Sequence, residues 1–102
     1  MKGWLQKKNF ILHSIRQIAN NFSFLKFTYY RDETSDAHFI QVSPNVYFES
    51  FEEKFVMQQN EIVLSFIEKY PYESLAFIGE EDLFEAEIFL FTLGGTATYT
   101  ER

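Results

Sequence analysis

Cysteine is absent from the 102-residue chain, which excludes a disulfide scaffold and any thiolate zinc site. Glycine is scarce, and Gly3, Gly79, Gly94 and Gly95 are too scattered to form a phosphate-cradling loop. Long apolar runs are missing as well. The stretch from Ile88 to Leu93 falls far short of the roughly 18 residues a membrane-spanning helix needs. The basic start (Lys2, Lys7, Lys8) is that of a signal peptide, but Phe10-Ile11-Leu12 is cut short by His13, Ser14 and Arg16. Export is therefore not expected, and a soluble, cytoplasmic protein is.

Acids are missing from one part of the chain only. Residues 1–31 hold six cations and no carboxylate, hence +6, whereas residues 32–102 carry 3 − 15 = −12, and together these give the net −6. Such asymmetry marks either an interaction arm or a basic segment that packs against an acidic remainder within one fold.

What is abundant is apolar and aromatic: 46% hydrophobic and 20% aromatic residues. A chain of this size and composition forms one compact domain over 1–102 and not a disordered polymer. A basic arm of about eight residues and a polar tail from about residue 94 flank it.

Ile11, Leu12, Ile15, Ile18, Ala19 and Phe22 recur at helical spacing, predicting an amphipathic helix over 10–22 with Asn9 as its cap. Residues 24–30 alternate Leu25, Phe27 and Tyr29 against Lys26 and Thr28, as a strand does. The polar stretch 31–36 turns the chain into a return strand over 37–42, and Val46-Tyr47-Phe48 reads as a short extra edge strand. Ser50 and Glu53 fit a capping box opening a second helix, which carries Phe51, Phe55, Val56, Ile62, Val63, Phe66, Ile67 and Tyr70 until Pro71 ends it. Residues 74–79 and 86–93 read as a second hairpin with Glu80-Glu81-Asp82 at its tip.

The expected fold is therefore α+β, in the order α-β-β-α-β-β: an antiparallel four- to five-stranded sheet with both helices on one face. Leu25, Phe27, Phe39 and Ile40 stand 50 positions before Leu75, Phe77, Phe89 and Leu90, the pattern a duplicated hairpin would leave. The element order resembles, in topology alone, the type III secretion chaperones, small acidic binders of other proteins. No motif carries that likeness, the terminal helix of that family is missing, and no family is assigned.

Residues able to do chemistry are few. His13 and His38 are not at helical metal spacing, and a histidine at the edge of an apolar face is ordinarily bonded to backbone. Asp32, Thr34 and Asp36 imitate the start of a calcium loop, but Ala37 stands where glycine is needed and Ser43 where a bidentate glutamate belongs. Asn21-Phe22-Ser23 has the letters of a glycosylation site without a secretory context. Lys2, Trp4, Lys7 and Lys8, the basic arm, could touch phosphates, yet a domain at −6 begins with repulsion from nucleic acid. No catalytic residue, metal or cofactor is expected.

The main functional hint is apolar surplus. In the expected second hairpin Ile88, Phe89, Leu90, Phe91 and Leu93 occupy both faces, and Ala76 and Ile78 back Leu75 and Phe77. With the helices on one face, Phe39, Ala76, Ile78, Ile88 and Leu90 are left as a candidate interaction surface. The reading that follows is a non-enzymatic protein-interaction or regulatory module, paired with itself as a homodimer and with an unknown protein. One alternative is a small enzyme or ligand binder with His38 or Tyr30 at a pocket mouth between helices and sheet. Another is an inhibitor or immunity-type protein for a basic target.

Overall fold

The computed structural model describes the backbone of residues 2–32, 35–80, 88–93 and 99–101, and the side chains of 5–32 and 35–80. The element order is α1 (Lys2–Asn21), β1 (Lys26–Asp32), β2 (Ala37–Ser43), α2 (Asn45–Glu49), α3 (Glu53–Lys69), β3 (Ser74–Gly79), β4 (Ile88–Leu93) and β5 (Tyr99–Glu101). The strands are arranged β3-β2-β1-β4-β5.

The expected antiparallel sheet with two helices is overturned. β1 and β2 form the predicted antiparallel hairpin, but β3 joins the outer edge of β2 in parallel, placing His38 opposite Leu75 and Ile40 opposite Phe77. The sheet is mixed, and among the described residues three helices accompany it. The cause is the connection. α3 has 17 residues and spans about 25 Å, close to the length of the seven-residue β2, about 23 Å. A helix of that length returns the chain to the beginning of β2, so the next strand runs alongside it in the same direction.

The expected second hairpin does not form. β4 pairs with β1, with Phe27 opposite Leu93 and a bulge between Tyr29 and Tyr30, so two strands separate it from β3. The equivalence of two hairpins, and the duplication it suggested, therefore has no counterpart in the strand pairing.

Two local readings are also corrected. Val46-Tyr47-Phe48 lies in α2 and not in an edge strand. Ser50 closes α2, its hydroxyl donating to the Tyr47 carbonyl at 2.6 Å, and so opens no capping box. Glu52 caps α3 instead, accepting from the backbone N–H groups of Lys54 and Phe55. α1 starts at Lys2, so the basic arm forms its first turns.

The core lies between the helices and one face of the sheet. Ile11, Ile15, Ile18 and Phe22 of α1 and its end, with Phe55, Ile62 and Phe66 of α3, close over Phe27, Tyr29, Ile40, Val42, Leu75 and Phe77. Phe22 meets Phe55 edge-on at 5.2 Å between centroids. The acidic tip Glu81-Asp82 lies outside the described residues, as does the segment 94–98.

Candidate functional site

The histidine that the sequence placed beside Ile40 and Val42 is the centre of a buried polar chain. His38 is 0% exposed, packed against the rings of Phe66 and Tyr29. Its Nε2 lies 2.7 Å from Glu73 Oε1, and its Nδ1 lies 2.5 Å from the Tyr29 hydroxyl. The other Glu73 oxygen pairs with the ammonium of Lys7. An ionised carboxylate can only accept, so Nε2 carries the imidazole proton, Nδ1 accepts, and Tyr29 donates. Four residues from α1, β1, β2 and the link before β3 thus satisfy one another.

The electrostatics agree with that order. Burial holds His38 below the ordinary imidazole range, with Arg31 and Lys7 acting the same way, although its bond to Glu73 pulls upward. Burial pushes the Tyr29 hydroxyl well up, so it stays a neutral donor. Burial would raise the Glu73 carboxyl, but hydrogen bonds from His38 and Lys7, with the Lys7 charge, bring it below the usual range. A neutral imidazole therefore sits between a neutral phenol and an ion pair.

Nucleophile, base and orienting carboxylate stand in the sequence used for covalent catalysis. Here, however, Tyr29 and His38 are both fully buried, with no room for a substrate between them. The chain ties the first helix to the sheet; it is a clasp. It is also where the basic and acidic parts of the sequence meet, since Lys7 belongs to the former and Glu73 to the latter. Lys2 and Trp4 lie in the same helix, but their side chains are outside the described residues. Lys8 is half-buried.

A second polar feature lies between α1 and α3. Phe10, His13, Ser14 and Gln17 on one helix face Gln58, Glu61, Ile62 and Ser65 on the other, each set at spacings of three, one and three. They line an open groove of about 210 Å³, smaller than ordinary ligand sites. Asn21 closes one end by donating to Gln58 at 2.9 Å. The pocket foreseen between helices and sheet, with His38 or Tyr30 at its mouth, is not where this groove lies. His38 faces the core, and Tyr30, half-buried, stands on the opposite face of the sheet beside Phe39. Among the described residues no three histidine or carboxylate side chains gather as a metal ion would require.

The candidate interaction residues are split. Phe39 and Ala76 are register partners on the face turned away from the helices, Ile78 shares that face, and Ala76 is exposed while the other two are half-buried. Ile88 and Leu90 lie in β4 beside β1, with side chains outside the described residues. The second hairpin, which held four of the five, is not formed.

Sequence reasoning missed Glu73, Tyr29 and Lys7 as partners of His38, and no local signal could have supplied them. Only the parallel register of β2 and β3, with His38 opposite Leu75, brings Glu73 alongside. No protein-family model matches the chain, and neither a curated protein nor a solved structure matches it. No helix among the described residues is long and apolar enough to cross a membrane.

Proposed function

We propose that this chain is a non-enzymatic protein-binding module that acts as a homodimer. The observation supporting this reading is the large apolar surface left in solvent on α3 and its flanking links, where Phe51, Met57, Leu64 and Tyr72 are all more than half exposed. Single exposed apolar residues are ordinary. Four on one helix and its flanking links exceed ordinary scatter, and covering them favours association at about 25 cal/mol per Å² removed from water. The residues most able to do acid–base chemistry are meanwhile locked together in the core.

Light scattering on the purified chain tests the reading. A mass that rises with concentration toward twice the 12.2 kDa of one chain is expected. A single-chain mass at every concentration refutes it.

A further inference from the structure

The apolar residues assigned to the second helix by their spacing do not all reach the core. Phe55, Ile62 and Phe66 do, whereas Val63 is half-buried against the margin of the core, Val56 is half-buried and Ile67 is 43% exposed. With Asn60, these last three form a row at spacings of four, three and four residues, the repeat of a coiled-coil seam. Met57 and Leu64, 56% and 60% exposed, border it. The row faces away from α1, because Gln58, Glu61 and Ser65 on the opposite side of α3 line the groove that α1 shares. α3 packs against β3, the terminal strand of the sheet, so the row looks out beyond the sheet's edge.

We propose that a second copy of this chain docks here, α3 against α3, with the two β3 edges beside each other. This rests on the homodimer reading above and names its surface. Charge favours a copy as the occupant. Val56, Met57, Asn60, Val63, Leu64 and Ile67 include no charged residue, and two chains of −6 can approach closely only across such a surface. A basic partner would instead be met by carboxylates.

The geometry is self-complementary as well. A two-fold axis beside β3, the terminal strand of the described sheet, sets that strand against its own copy. Asn60 in mid-seam is the kind of polar residue that fixes register and copy number at some cost in affinity. The helix flank, about 25 Å long and about 10 Å wide, with the strand edge offers roughly 400 Å² per copy. Over both copies that is about 800 Å², below the size of stable interfaces, and a weak, reversible dimer is expected from it.

Sedimentation velocity from about 1 to about 100 μM tests the assignment across the range where so small an interface dissociates. The double variant Leu64→Glu/Ile67→Glu is expected to be a monomer throughout, with an unchanged circular dichroism spectrum. Asn60→Leu is expected to tighten the dimer about tenfold by replacing the mid-seam amide. Asn20→Lys, exposed near the end of α1 and across the molecule from the row, leaves the dimer as it was. A wild-type dimer that persists in the double variant overturns the seam and leaves the homodimer reading standing. A wild-type chain that is monomeric at every concentration overturns both.

Discussion

Replacing Tyr29 by Phe removes one oxygen from the centre of the molecule and nothing else. The ring remains packed between β1 and His38, so the substitution isolates the hydroxyl. That hydroxyl donates to His38 Nδ1 at 2.5 Å, and both residues are 0% exposed. Without it the imidazole nitrogen loses that donor, and at 0% exposure water does not take its place. Turning the imidazole proton to Nδ1 does not help, because Nε2 would then present a lone pair to the Glu73 carboxylate. The lost bond contributes about 1 kcal/mol and the stranded acceptor at least as much, so the variant should be less stable by about 2 kcal/mol. In a domain this size that lowers the melting temperature by roughly 8 to 16 °C. Urea denaturation followed by circular dichroism at pH 7.5 measures it, with protein concentration held fixed because association adds to stability. A difference under about 0.5 kcal/mol would mean that Tyr29 and His38 are neighbours without being bonded.

Tyr70 supplies the contrast: its hydroxyl is buried with no hydrogen-bond partner among the described residues, so Tyr70→Phe should leave stability unchanged or raise it by about 1 kcal/mol in the same urea assay. The folded pKa of His38 is held below its ordinary 6.5, so the unfolded chain binds the extra proton first. Stability is thus complete above about pH 6.5 and falls as pH drops below it. Glu73, lowered from 4.5, adds a second loss below that value. Urea midpoints between pH 4 and 8 should show both steps, and a flat profile from pH 5 to 7 would contradict the buried neutral imidazole. Gly79 lies beneath α2, where an added Cβ would strike the Asn45 side chain and come within 2.9 Å of Phe48. Gly79→Ala should therefore destabilise by about 1 to 3 kcal/mol, read as a lower melting temperature.

Local patterns carried α1, β1 and β2, because each buries a face of its own period and the six-residue polar stretch between the strands admits only a reversal. The same logic failed at Val46-Tyr47-Phe48. These letters favour a strand, but Tyr47 packs against Phe55 and Phe22 from a short helix, and tertiary contact outweighed propensity. It failed again for β3, whose neighbour depends on the length of α3 and not on anything within residues 74–79. The second helix was recognised by its apolar residues, yet periodicity could not tell which of them the sheet would take and which would stay outside. His38 was placed on the correct face, but its partners were hidden: Tyr29 is one strand away and Glu73 lies beyond a whole helix.

The central strand acquires its two neighbours at very different times. β1 meets β2 within a few residues, but β4 arrives roughly sixty residues later. During synthesis at about 5 to 20 residues per second, that interval lasts on the order of 3 to 12 s, in which a nascent chain would carry β1 with one side unclaimed. Tyr29 lies in that strand, so the clasp it shares with His38 would form on a half-built platform and be locked only when the ribosome has delivered β4.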